Sequence, residues 1–214
     1  MKKHQRVRKK KLHAKKVGMP PGVAFYVGDN DEAIEVEPKI SQIIFDANQF
    51  IESEISETAL SNIKIQDNQK LWINVHGVHD AALIKKIGDV FKLHPLVIED
   101  ILNTKQRPKI DEFNNYIFLE TRHFSYHKET MTINSEQISM VLGHNFLLSF
   151  QERSTGAFEP VRARLRVENS PIRGLGIDYL TYALLDSVVD RYFNVLEDVS
   201  EDSEALEDRL LSKP

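Results

Sequence analysis

Apolar residues recur along the chain with two different periods, and the period changes after Arg153. Before that point the apolar positions form short runs or alternate with polar ones, which is typical of β-strands. After it they recur every three or four residues, which is typical of helices. The first pattern predicts strands at Val23–Val27, Ala33–Val36, Ile43–Phe45, Leu71–Val75, Tyr116–Tyr126, Gln137–Leu142 and Phe146–Phe150.

Two helices are predicted between the fourth and fifth of these strands. The segment from Asp80 to Leu93 carries apolar residues at helical spacing, and Asp80 is suited to cap its first turn. His94-Pro95 ends this helix. Proline favours the first position of a helix, so Pro95–Leu102 is predicted to form a second, shorter one.

The C-terminal part of the chain is predicted to be helical. Pro160–Val167 has the pattern of a short helix, and a much longer stripe begins at Ile177. We therefore expect an α/β body in residues 18–170 and a helical arm in residues 171–214. The stripe consists of Ile177, Leu180, Leu184, Val188, Tyr192, Val195, Leu196, Val199, Leu206 and Leu210.

Charge is distributed unevenly, although the net charge is only −4. Residues 1–17 hold nine Lys or Arg and no acid, which leaves 19 basic against 32 acidic residues in the rest. We expect a flexible basic arm on an acidic body. The arm could bind nucleic acid, anionic lipid or a neighbouring subunit, or it could remain a solvated tail. The acidic body argues against nucleic acid as a partner of the domain itself, and none is expected.

Enzymatic function is not expected. The chain has no cysteine, which excludes disulfides, zinc–thiolate sites and thiol nucleophiles. It contains neither a glycine-rich phosphate loop nor a Gly-x-Ser-x-Gly nucleophile motif, and its histidines are scattered. No apolar run approaches the ~18 residues that span a bilayer, so we expect the chain as it stands to be soluble.

Two groups of acids could bind a metal ion. Glu99 and Asp100 are adjacent in the predicted helix Pro95–Leu102, where they point about 100° apart and can address two different sites. The long helix carries ten acids from Asp178 to Asp208 against two arginines. Carboxylates without cysteine favour Mg²⁺ or Ca²⁺ over Zn²⁺. Both groups could equally be ordinary solvated faces.

The segment His94–Asn103, followed by Gln106-Arg107-Pro108-Lys109, closely resembles the cytoplasmic domain of the CorA magnesium and cobalt transporters. The resemblance covers roughly residues 18–214, and the joint order of its elements makes it specific. The further matching elements are Gly18–Gly22, Trp72–Val75, Asn115–Phe118, Ser135–Ser139, Phe150–Glu152, Asp178–Leu180 and Leu184–Asp190.

The resemblance implies an α/β fold, namely an α/β/α sandwich with a mixed sheet, followed by a long antiparallel acidic helical pair. It also implies a homopentamer attached to the cytoplasmic face of the cell membrane through C-terminal helices. The Gly-Met-Asn pore signature, the stalk helix and the membrane helices of the family are absent from this sequence. The chain is therefore expected to be a regulatory domain, and by itself monomeric or weakly associated.

The resemblance also implies a regulatory Mg²⁺ site between adjacent subunits, where Co²⁺ or Ca²⁺ could take the place of Mg²⁺. Its ligand positions correspond to Glu99, Asp100 and Asp186, with the Met19 carbonyl as a further oxygen. Bound Mg²⁺ is expected to stabilise the closed state of a divalent-cation channel. The alternatives are the same domain of a zinc-transporting relative and a free-standing soluble binding protein.

Overall fold

In a computed structural model the described residues are 18, 20–28 and 37–212. The basic arm, Met19 and the predicted strand Ala33–Val36 lie outside them. Within the described residues the strands are β1 Lys39–Phe45, β2 Phe50–Ile55, β3 Lys70–His76, β4 Lys109–Phe113, β5 Tyr116–His127, β6 Thr132–Gly143 and β7 Phe146–Gln151. The helices are α1 Ala81–Phe91, α2 Pro95–Leu102, α3 Glu159–Arg166, α4 Pro171–Gly174 and α5 Ile177–Leu211, with a 3-10 helix at Glu57–Asn62.

The strands form one mixed sheet in the spatial order β2-β1-β3-β7-β6-β5-β4. β3 and β7 pair in parallel, and every other neighbouring pair is antiparallel. The central strand β3 is apolar at successive positions because both of its faces are covered. Ile73 faces one hydrophobic core, while its neighbour Trp72 faces the other.

Helices cover both faces of the sheet. The core on one face contains Ile84 and Ile87 of α1 with Val97 and Ile101 of α2. The core on the opposite face is built from buried residues of α3, α4 and the first half of α5. The predicted α/β/α sandwich with a mixed sheet is therefore confirmed.

Local signals in the sequence determine where α1 and α2 begin. Asp80 caps α1, and its Oδ1 accepts hydrogen bonds from the backbone N–H groups of Ala82 and Leu83, both at 3.0 Å. Such a cap satisfies donors that have no partner inside the helix. Pro95 occupies the first turn of α2 as predicted, and His94 Nδ1 accepts from the Leu96 N–H at 3.2 Å.

α5 is one continuous helix of 35 residues, about 52 Å long at 1.5 Å per residue. The chain has no Gly or Pro between Ile177 and Leu211, so nothing in this segment breaks the helix. The prediction that this arm turns back as an antiparallel pair was therefore wrong for the described residues. Its last buried position is Val188, and beyond it α5 keeps polar contacts with β5, since the Tyr126 hydroxyl donates to Asp202 Oδ2 at 2.6 Å.

Two further differences from the sequence prediction concern strands. Val23–Val27 is not a strand, because only Val27 forms an isolated bridge, with Asn103. β2 and β4 were not predicted, and they are the two edge strands of the sheet. No helix in the described part of the chain is both long and apolar enough to cross a membrane.

Candidate metal centre

Glu99 and Asp100 lie in the C-terminal half of α2. The apolar residues Val97, Ile98 and Ile101 bury this short helix against the sheet and so fix its rotation. Both acids are only partly exposed, and each is held by other groups of the same chain. The helix therefore presents two carboxylates in defined positions.

Glu99 holds the N-terminal segment of the described chain against α2. Its Oε2 accepts a hydrogen bond from the Gly22 N–H at 2.5 Å, across 77 residues of sequence. Gly22 has a φ of +80°, and a Cβ at this position would lie 2.9 Å from the Pro95 side chain, so a glycine is required there. Met19 lies outside the described residues, so its predicted carbonyl contact stays a prediction.

Asp100 has partners on both carboxylate oxygens. Oδ1 accepts from Gln106 Nε2 at 2.8 Å, and Oδ2 accepts from Lys109 Nζ at 2.7 Å. The Asp100 side chain is only 14% exposed. Lys109 also contacts Asp111 Oδ2 at 2.7 Å, so one ammonium group joins two carboxylates.

A third acid lies behind Asp100 in the sheet. Glu120 of β5 is buried, and its Oε1 accepts from Gln137 Nε2 at 3.2 Å. The same amide group donates to the Asp100 backbone oxygen at 3.1 Å. Burial, reinforced by the nearby negative charge of Asp100, raises the pKa of Glu120 to about 7.

Glu120→Gln is expected to stabilise the fold at about pH 8 and to have little effect at about pH 5. The pKa of Glu120 in the folded chain lies above the ordinary value of about 4.3 that it has in the unfolded chain. Protonated Glu120 therefore stabilises the fold at low pH, and this stabilisation is lost as pH rises through about 7. The wild type should therefore lose about 1–3 kcal/mol more stability than the variant over this range. Urea denaturation at the two pH values measures the difference.

Glu204→Gln is the control, because Glu204 is exposed on the distal half of α5. It should retain the wild-type pH dependence. Identical pH dependence in wild type and Glu120→Gln would show that Glu120 ionises normally.

Asp186 lies far from the α2 acids in the fold. It is exposed on α5, where it lines a cavity of about 380 Å³ together with Arg164, Asp190 and Arg191. α5 covers one face of the sheet, and α2 covers the other. One chain therefore does not bring Asp186 together with Glu99 and Asp100.

No group of three or more His, Cys, Asp or Glu side chains that could hold a metal occurs within residues 18, 20–28 and 37–212. Glu99 and Asp100 still supply hard carboxylate oxygens, which suit Mg²⁺ better than Zn²⁺. They fit part of a magnesium site, and the remaining ligands would have to come from water or from another subunit.

The fold and these acids define a class of protein, an α/β/α domain with candidate carboxylate ligands on helices of both layers. The sequence model of the CorA-like Mg²⁺ transporter proteins matches residues 67–214. The chain belongs to this family. It is 38% identical over 206 residues to the cobalt/magnesium transport protein CorA of Thermotoga maritima, covering 96% of this chain and 57% of that protein.

A second relative is the putative metal ion transporter YfjQ of Bacillus subtilis, 31% identical over 141 residues, or 63% of this chain and 42% of that protein. The chain thus spans about half the length of these relatives. Among solved structures, the soluble domain of CorA from Methanocaldococcus jannaschii has a TM-score of 0.63 at 17% identity, covering 81% of this chain and 64% of that one. The ZntB cytoplasmic domain from Vibrio parahaemolyticus has a TM-score of 0.53 at 14% identity, and the match covers 74% of this chain and 63% of that one.

The sequence analysis missed the residues that surround Asp100. Gln106, Lys109 and Glu120 lie 6, 9 and 20 positions further along the chain, and none shares a helical or strand period with α2. The turn from α2 into β4 brings Gln106 and Lys109 to Asp100, and the sequence analysis used both residues only as part of the family resemblance. An acid on α2 followed by a lysine at the start of the next strand is the signal that could have found the ion pair.

Proposed function

We propose that this chain is the cytoplasmic regulatory domain of a CorA-type divalent-cation transporter and senses Mg²⁺ between neighbouring subunits. Family membership supports the transport class. The observation that carries the finer proposal is the separation of the acids, with Glu99 and Asp100 on one helical layer and Asp186 on the other. In a ring of identical subunits, one layer of each domain can face the opposite layer of its neighbour.

Electrostatics supplies the mechanism. Without a divalent ion, facing carboxylates repel each other and favour separated domains. Mg²⁺ bound between them replaces that repulsion with a bridge, and it holds water tightly, so we expect one or two direct carboxylates and several water-mediated contacts. Co²⁺ or Ca²⁺ could occupy the same oxygen ligands. Bound ion would then stabilise the closed state.

The assembly is proposed to be a pentamer attached to the cytoplasmic face of the membrane. The domain by itself should associate weakly, since the stalk and membrane helices of the family supply further subunit contacts. Sedimentation velocity of the 214-residue chain without Mg²⁺ should show mainly monomer. A tight oligomer that is indifferent to Mg²⁺ and to chelator would contradict this expectation.

A zinc-transporting relative is the second candidate, and the fold is shared with the ZntB cytoplasmic domain. The oxygen-only ligands at Glu99, Asp100 and Asp186 favour magnesium, because Zn²⁺ sites generally include His or Cys. His76 is engaged with Gln151 at 3.1 Å, and His123 is buried within the sheet, so neither adds to these acids.

Protease protection by Mg²⁺ tests the proposal in the transporter subunit that contains this chain. Mg²⁺ should protect the wild-type domain, and the combined substitutions Glu99→Gln, Asp100→Asn and Asp186→Asn should abolish that protection. Monovalent salt should not restore it, since screening cannot replace a bridging ion.

A second triple variant is the matched control. Glu204→Gln, Glu207→Gln and Asp208→Asn remove equal charge from the exposed distal half of α5 and should leave protection intact. Loss of protection in this control alone, or full protection in the first variant, would show that Glu99, Asp100 and Asp186 are ordinary surface acids.

A further inference from the structure

Lys109 places a positive charge where a cation bound by Asp100 would be expected. Its Nζ lies 2.7 Å from Asp100 Oδ2 and 2.7 Å from Asp111 Oδ2, and 5.5 Å from the centre of the Phe118 ring. Gln106 occupies the other oxygen of Asp100. The Asp100 carboxylate, which is only 14% exposed, is thus already neutralised from within the chain.

We propose that Lys109 is a built-in counter-cation that competes with the divalent ion for Asp100 and must move away when that ion binds. The inference rests on the proposed function, since it takes Asp100 as a metal contact. It adds two residues to the site. Lys109 becomes the residue that sets metal affinity, and Asp111 becomes a second carboxylate for the ion.

Charge balance favours such an exchange. The Lys109 ammonium brings one positive charge to two carboxylates, Asp100 and Asp111, with Glu120 buried close by. A divalent ion at the same position would neutralise both carboxylates. Both cations cannot remain there together, because two positive charges a few ångströms apart repel strongly in a partly shielded site.

The fold leaves room for Lys109 to move. It is the first residue of β4, an edge strand, and its side chain is 34% exposed. The flexible four-carbon stem of a lysine can carry the ammonium into solvent while the backbone stays paired with Glu120 of β5. Asp111 is 44% exposed, so solvent and ions can reach this carboxylate.

Magnesium titration of the chain by NMR tests the exchange. In the wild type, Mg²⁺ alone should shift the Gln106 side-chain amide, and it should move the Lys109 Cε signal towards that of an exposed lysine. Lys109→Met should lower the apparent Kd for Mg²⁺ on the order of tenfold, because the competing charge is gone. Lys109→Arg, which keeps the charge, should not strengthen binding.

Lys86→Met is the matched control. Lys86 is also 34% exposed and pairs with a carboxylate at 2.8 Å, but its partner Glu57 belongs to the 3-10 helix. This variant should bind Mg²⁺ like the wild type. Thermal unfolding in chelator identifies any variant that fails to fold, and Lys109→Gln, which keeps a hydrogen-bond donor, then replaces Lys109→Met.

The outcomes separate this inference from the proposed function. If Asp100→Asn leaves Mg²⁺ binding at the wild-type affinity, Asp100 is not a ligand and the metal assignment itself fails. If Asp100→Asn abolishes binding while Lys109→Met binds no more tightly than Lys86→Met, only the counter-cation role is overturned. Absence of any Mg²⁺-dependent shift at Gln106 in both proteins, together with an unchanged Lys109 signal in the wild type, would also overturn it.

Discussion

Trp72→Ala is expected to lower the free energy of unfolding by about 3–5 kcal/mol, the range found when large aromatic residues are truncated in a core. Trp72 is 1% exposed in the central strand β3. Its Nε1 donates to Ser149 Oγ at 2.9 Å, and the Phe158 ring meets it edge-on with centroids 5.9 Å apart. The Arg162 guanidinium lies 4.6 Å from the centre of its ring. The substitution therefore removes a large buried surface together with the hydrogen bond that Ser149 Oγ accepts.

Urea denaturation followed by circular dichroism measures this effect, because the variant lacks the only tryptophan of the chain. Tyr182→Ala is the control, since Tyr182 is 58% exposed on α5, and it should change stability by less than about 0.5 kcal/mol. A loss below about 1 kcal/mol for Trp72→Ala would contradict the packing of α3 against the sheet.

Asp100→Asn should remove most of the stabilisation that Mg²⁺ gives to the assembled domains. An ion that binds only the closed state, at about 100 times its dissociation constant, stabilises that state by about 2.7 kcal/mol per site. The amide keeps the size of the side chain but removes the charge that attracts Mg²⁺. The substitution also leaves Lys109 with Asp111 alone, so the variant should be compared with the wild type in chelator as well as in Mg²⁺.

Thermal unfolding of the assembled subunits with and without Mg²⁺ gives this difference directly. The wild type should gain stability with Mg²⁺, and Asp100→Asn should gain little. In flux measurements the variant should stay active at Mg²⁺ concentrations that close the wild type. Equal gains in both proteins would show that Asp100 does not contact the ion.

Much of the fold could be predicted because local signals and tertiary packing agree. The Asp80 cap and Pro95 determined the starts of α1 and α2, and the apolar runs of β3 and β7 reflect burial on both faces. The edge strand Phe50–Ile55 was missed because it has one neighbour in the sheet and several polar residues, so its sequence lacks an apolar run.

The candidate site was predictable only in part. Adjacent acids at Glu99 and Asp100 stand out on a short apolar helix, and the resemblance supplied Asp186. Their separation on opposite layers, by contrast, is a property of the three-dimensional fold. The same is true of the Lys109–Asp100 pair, which forms only after α2 and β4 have packed against each other.

Cysteine cross-linking across the proposed interface tests the central claim most directly. This chain has no native cysteine, so Leu96→Cys on α2 and Tyr182→Cys on α5 would provide its only thiols, each one helical turn from Asp100 or Asp186. In the subunit that contains this chain, a flexible bis-maleimide should join the double variant into a ladder of linked subunits in Mg²⁺. Chelator or Asp100→Asn should weaken that ladder, and neither single-cysteine variant should form it. A ladder equally strong in Mg²⁺, in chelator and with Asp100→Asn, or none under any condition, would contradict a Mg²⁺ site between the two helical layers of neighbouring subunits.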